Sequence, residues 1–181
     1  GEKSDVRAAT RSRILDTFNR LLLDGASPRP KVASIIAEAG ISRSTFYDHV
    51  DGVEALLDES LSNVLTQIAR ALVTERDQEA LIQWIEHIGE NRMMAREFFS
   101  GGRGERAQAL FARLITQQLD GQADSRLSGI LIAGTTMNAL KSWTSGRLAS
   151  SPAQLAERLA ATAAAILEQC DQVASSDEEV L

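Results

Sequence analysis

The chain has 181 residues, enough to bury a sizeable core in one or two domains. Apolar residues make up 44% and charged residues 24%, the balance of a soluble globular protein; no apolar run is long enough to span a bilayer, and the first residues are polar rather than signal-like. The net charge of −6 by itself argues against nucleic acid, and a single cysteine, Cys170, excludes an internal disulfide and fits a reducing, cytoplasmic setting.

Aromatics are few and Ala and Leu are many, which favours helix over strand because these side chains lose little freedom on entering a helix. Residues 5–24 place Ile14, Leu15, Phe18, Leu21 and Leu22 at helical spacing, with Gly25 as a C-terminal stop. After the loop ASPRP, Pro30 suits the entry to a second helix over 31–38 that carries Val32, Ile35 and Ile36. Gly40 ends it, and Ser42 is a good N-cap for a third short helix reaching about Tyr47. A longer helix follows over about 52–73, then others over roughly 77–99, 104–119, 124–146 and 152–173, separated by glycines and by Ser151-Pro152. SGGRGER, 100–106, reads as a flexible connection: it lacks the Lys-Ser/Thr ending of a phosphate loop and follows a helix, not a strand. The tail SSDEEV is acidic and reads as frayed. No alternating strand pattern and no internal repeat stand out, so the expected fold class is all-α.

Charge is unevenly distributed. Residues 1–50 hold eight basic against six acidic residues, a net +2, so the remainder carries −8. A mildly basic head on an acidic body permits a local polyanion contact without requiring one. Within that head, the second and third helices joined through Ala39-Gly40-Ile41 form a helix-turn-helix pattern. Ile41 and Phe46 can lock the short helix in place, leaving Ser42, Arg43, Ser44, Thr45 and Tyr47 outward or at the edge. Such a helix can present its N-terminal end to base edges in a major groove. The same pattern also serves packing alone in many helical proteins, and geometry by itself leaves both readings open.

Residues about 13–57 resemble the N-terminal domain of the tetracycline-repressor (TetR/AcrR-type) family of transcriptional regulators. The matching pieces are Arg13-Ile14-Leu15 with Phe18, Leu22 and Gly25, Val32 and Ile35, AGIS at 39–42, TFYDH at 45–49, and Glu54-Ala55-Leu56-Leu57. They cover about a quarter of the chain in the family's order and spacing. The resemblance implies a three-helix DNA-binding domain over 1–50 and a helical effector-binding and dimerisation domain over 51–181. It implies groove-facing roles for Arg43, Ser44 and Thr45 and phosphate contacts for Tyr47 and His49, with Ser42 capping the reading helix. Three positions depart from the family's usual wording. Lys31 stands where Thr is usual and could serve as a longer phosphate contact; Val53 replaces a usual Lys and removes one; Val50 replaces a usual Phe. Each lost phosphate contact lowers the salt slope of binding by about one.

Regulators of this kind dimerise so that two heads read two half-sites. Residues 124–146, with Gly129, Ala133, Gly134 and Ala139, and residues 152–173, with Leu155, Leu159, Ala163 and Ile166, offer small and apolar surface for a four-helix homodimer interface; they equally suit an intrachain helix pair. The resemblance also implies a pocket for a small-molecule effector ahead of that interface. Trp84, His87, Ile88, Met94, Phe98 and Phe111, with Met93 and Phe99 nearby, supply aromatic and adaptable apolar surface. An apolar stripe at helical spacing is more often core, and His87 is more often a structural or surface residue than a ligand contact.

Catalytic readings are thinner. Glu86, His87 and Glu90 share a neighbourhood, but nothing completes a set of three or four metal ligands. No Gly-x-Ser-x-Gly elbow is present, and Cys170 reads as a small interface residue. The sequence therefore points to a ligand-responsive DNA-binding regulator, a repressor by resemblance, with double-stranded DNA, a second copy and an unknown effector as partners. No cofactor, metal or membrane is expected. The rivals are a helical adaptor that does not read DNA, favoured by the net charge and Val53, and a helical enzyme acting on an apolar molecule in the same cavity.

Overall fold

The computed structural model describes residues 2–23 and 29–178. Among them the protein is all-helical: α1 (Glu2–Leu23), α2 (Val32–Ala39), α3 (Arg43–His49), α4 (Val53–Ala69), α5 (Gln78–Glu90), α6 (Arg92–Phe99), α7 (Gly101–Gln118), α8 (Ser125–Thr144) and α9 (Pro152–Glu178). The helix stop at Gly25, the loop at 26–28, the last three residues of the tail and the Cys170 side chain lie outside the described residues. No described helix is long and apolar enough to cross a membrane.

The chain divides into two compact units, Gly1–Leu61 and Ser62–Leu181, and the boundary falls within α4. In the first unit, Ile14, Phe18 and Leu22 of α1, Ile35 and Ala39 of α2, and Phe46 of α3 are buried with Leu56, Leu57 and Leu61 of α4. Val50 is buried as well, so the smaller side chain still fills its corner. Removing a large fully buried side chain such as Phe18 or Phe46 would leave a cavity costing about 3–5 kcal/mol.

In the second unit α7 packs along α8, and α9 packs against α5 and α8. The core draws Leu81 and Ile85 from α5, Phe98 and Phe99 from α6, Phe111 and Ile115 from α7, Ile132, Ala133 and Met137 from α8, and Leu155, Leu159 and Ala163 from α9. The helix begun at Val53 ends in a five-residue π-helical turn, Arg70–Thr74, whose Ala71, Leu72 and Val73 are buried against α5, α7 and α9.

Two expectations are corrected. The helix read over 77–99 is broken at Asn91 into α5 and α6. Asn91 leaves helical geometry (φ −111°, ψ 41°), and its side-chain amide donates to the His87 carbonyl at 2.9 Å. This is a local bond of the kind that lets Asn compete with the helix ladder. Residues 101–106, read as a flexible connection, instead form the opening of α7. Gly101 takes φ 54°, which lets the chain reverse after α6, and a Cβ on Gly104 would stand 2.5 Å from the carbonyl oxygen of Phe99. The glycines that read as looseness allow close approach.

Candidate nucleic-acid interface

The first unit builds a helix-turn-helix from local signals. Helix α2 closes on Gly40 in the left-handed conformation (φ 63°, ψ 41°), whose N–H, like that of Ile41, donates to the Ile36 carbonyl. Glycine takes this conformation without strain and sends the chain directly into α3. Ser42 then caps α3: its Oγ accepts from the Thr45 N–H at 3.1 Å. The same oxygen shares hydroxyl hydrogen bonds with Ser44 Oγ at 2.9 Å and Thr45 Oγ1 at 2.8 Å. Phe46 is fully buried and pins the helix to the core.

That burial fixes what α3 shows to solvent. Ser42, Arg43, Ser44 and Tyr47 are exposed, Tyr47 at 51%, and Thr45 and His49 are half-buried. The Tyr47 ring stands edge-on to Phe46, with its centroid 5.2 Å away. His49 Nδ1 lies 2.8 Å from the Thr45 carbonyl. A carbonyl only accepts, so Nδ1 carries the proton and Nε2 is left for an external group. Lys31 occupies the N-cap position of α2 without a side-chain capping bond and is exposed. A cation at the positive end of a helix dipole does not stabilise the helix, so helix stability does not account for this residue.

The positive charge of this unit is more compensated than the composition suggests. Arg11 holds Glu59 in a bidentate pair, with one contact at 2.6 Å, and Arg20 pairs with Glu38 and Arg29 with Glu54 at 3.0 Å each. The Arg11 hydrogen bond keeps the Glu59 carboxyl below its ordinary range, against a smaller opposing effect of burial. Arg7 behaves differently: its guanidinium donates to the main-chain oxygen of Asp48 at 2.8 Å, at the C-terminal end of α3.

In the second unit the effector residues read from sequence are partly brought together. The Trp84 and His87 rings meet edge-on at 5.9 Å on α5, both half-buried, with buried Ile88 next to His87 in the chain. On α6, Met94 is half-buried, Phe98 is buried beneath the Arg103 guanidinium at 5.9 Å, and Met93 is 64% exposed. Phe111 is wholly buried on α7. Glu86 and Glu90 are exposed, and no group of three His, Cys, Asp or Glu among the described residues is placed to hold a metal ion.

The small and apolar residues assigned to dimerisation are largely used inside the chain. Gly129 packs on α7, where a Cβ would meet Thr116 Oγ1 at 2.3 Å and the Ala112 carbonyl oxygen at 2.8 Å. Ala133, Leu155, Leu159 and Ala163 are buried. Sequence reasoning missed the opposite side of α8, where Leu127, Ile130 and Leu131 are 51%, 51% and 44% exposed. The signal was present in the LSGILIAG stretch, but choosing between its two faces requires knowing which one α7 covers.

No known family's sequence pattern matches the chain, and no curated protein does. Solved structures do. The chain shares its fold with a TetR transcriptional regulator from Streptococcus agalactiae 2603V, at 17% identity and a TM-score of 0.56. It likewise resembles the dihydroxyacetone kinase operon activator DhaS, at 17% identity and a TM-score of 0.54. Each match covers 89% of this chain and 97% of the other. The fold is that of a TetR-type transcriptional regulator, with helices and no strand among the described residues.

Proposed function

We propose that the protein is a transcriptional regulator of the tetracycline-repressor type that binds a near-palindromic operator as a homodimer and responds to a small molecule. The observation that carries the reading is α3, capped by Ser42 and pinned by buried Phe46, with Arg43, Ser44 and Tyr47 exposed. Arg43, Ser44 and Thr45 face the base edges. Tyr47, His49 and Lys31 meet phosphates, His49 through Nε2 and therefore as the imidazolium when it donates. Ser42 acts chiefly as the cap, because its oxygen is already engaged by three groups of two neighbours, Ser44 and Thr45.

The homodimer forms through α8 and α9, with Leu127, Ile130 and Leu131 at its centre; a contiguous exposed apolar face of this kind is what a partner surface covers. The effector enters the second unit beside Trp84, His87 and Met94, whose partial exposure leaves them accessible, and Ile88, Phe98 and Phe111 supply buried apolar surface of the same unit. It acts by binding two head spacings with different affinity, since only differential affinity shifts such an equilibrium. Release of the operator on ligand binding makes the protein a repressor. DhaS, of nearly equal fold similarity, is an operon activator, so a reporter measurement of the direction of control belongs beside any binding assay.

Selection of bound duplexes from a random DNA pool at moderate salt, repeated with Arg43→Ala and Tyr47→Ala, tests the reading. The expected result is an enriched near-palindrome that is blurred or lost in the variants. Weak binding without enrichment, vanishing as salt rises, would overturn operator reading by the ligand-free protein and favour the adaptor.

A further inference from the structure

Arg7 has no part in the core. Residues 2–9 of α1 are all exposed, so the first two turns of this helix bury nothing that would explain them. Yet the Arg7 side chain reaches across to the last turn of α3 and donates through one Nη2 to the main-chain oxygen of Asp48 at 2.8 Å. The last carbonyls of a helix lack intrahelical partners and carry the negative end of its dipole, so the bond is favourable for α3. It also settles where the guanidinium sits: beside the residue flanked by Tyr47 and His49, at the same end of α3 as both proposed phosphate contacts.

The bond differs from those of its neighbours on α1. Arg11 and Arg20 face carboxylates, Glu59 and Glu38, which cancel their charge. Arg7 faces a neutral carbonyl, and among the described residues no ion pair engages it, the Asp48 carboxylate included. The guanidinium has five N–H donors in a planar fork, of which the carbonyl takes one. A held cation with donors to spare is what a phosphate oxygen pair recognises. Lys3 stands one turn earlier on the same exposed helix, and Asp5 is the acidic residue between them.

We propose that Arg7 is a phosphate-binding residue of the DNA-reading head, held in position by its hydrogen bond to the main-chain oxygen of Asp48. The proposal rests on the reading of α3 as the DNA-contacting helix. It adds the start of α1 to the interface and supplies a cation to a head in which Val53 stands in place of the family's usual lysine.

The test compares the wild-type chain with Arg7→Gln and Arg7→Lys. Duplex affinity is measured against salt concentration, on the selected operator or, failing selection, on a random duplex. Gln removes the charge and, being two bonds shorter, gives up the bond to the Asp48 carbonyl as well; Lys keeps the charge. Each phosphate contact contributes about 0.9 to the slope of log affinity against log salt. The expected result is a Gln variant that melts within a few degrees of the wild type, since only one exposed hydrogen bond is lost, and has a slope smaller by about 0.9 for each Arg7 in the complex. The Lys variant is expected to retain the slope. A Gln variant with weaker binding but the wild-type slope would reduce Arg7 to a cap of α3 and overturn the proposal while leaving α3 as the reader. Absence of duplex binding by the wild type at low salt would overturn both together.

Discussion

Helices α3 and α8 solve the same problem with opposite outer surfaces. Each buries one face in its own unit: α3 through Phe46, α8 through Gly129, Ile132, Ala133, Thr136, Met137 and Leu140. What remains outside differs. Helix α3 shows Arg43, Ser44 and Tyr47, whereas α8 shows Leu127, Ile130 and Leu131. The first surface suits a charged, hydrated partner whose grip weakens with salt; the second suits an apolar partner whose grip does not. A net charge of −6 averages over these two surfaces and describes neither.

The comparison is broken most severely at Ile130. Ile130→Glu places a charge on an already exposed position, so the fold is retained. In a symmetric dimer it buries two unpaired charges, costing about 3–5 kcal/mol. Sedimentation should show the proposed wild-type dimer converted to monomer, and a variant that remains dimeric would remove α8 from the interface. Next comes Arg43→Ala, for which loss of the proposed base contact is expected to cost about 1–3 kcal/mol per half-site and to relax sequence preference at that position. The dimer should persist, which separates the two surfaces in one titration.

Two glycines on α8 sharpen the contrast between its faces. Gly129→Ala forces a Cβ against Thr116 and the backbone of Ala112 and should destabilise by about 1–3 kcal/mol in urea unfolding. At Gly134 a Cβ meets only Gln108 Nε2, at an ordinary 3.7 Å. Gly134→Ala should therefore be neutral or stabilise by up to about 1 kcal/mol through helix propensity. Equal effects at the two sites would mean that α7 does not sit where the structure has it.

The smallest effect belongs to the Arg11–Glu59 pair. Hydrogen bonding to Arg11 lowers the Glu59 pKa in the folded protein, so the pair's contribution is present above the ordinary glutamate value of about 4.3. It is lost as pH falls through the depressed folded value. Both side chains are partly exposed, and Glu59→Gln should cost no more than about 1 kcal/mol at neutral pH, a difference that disappears in acid. Thermal melts of the two proteins across that range measure it.

Much of the head was legible because its signals are local. The Ser42 cap, the Gly40 stop and the burial of Phe46 each depend on a few consecutive residues, and the structure forms all three. The body was less legible. The break at Asn91 was missed because no proline marks it and it is made by one side-chain amide that bonds to the preceding turn. The start of α7 was missed because glycine signals a loop in sequence, whereas here Gly104 allows contact with Phe99. Arg7 gave no sequence signal at all, since its bond spans 41 residues.

Sequence alone therefore determined the helical class, the succession of helices in the head and the polar outer face of α3, because helix periodicity and capping act over one or two turns. Tertiary structure decided which arginines keep their charge uncompensated, which side of α8 stays exposed, and which glycines mark close packing. Those outcomes depend on a partner helix far along the chain, and no local pattern encodes which face that helix covers.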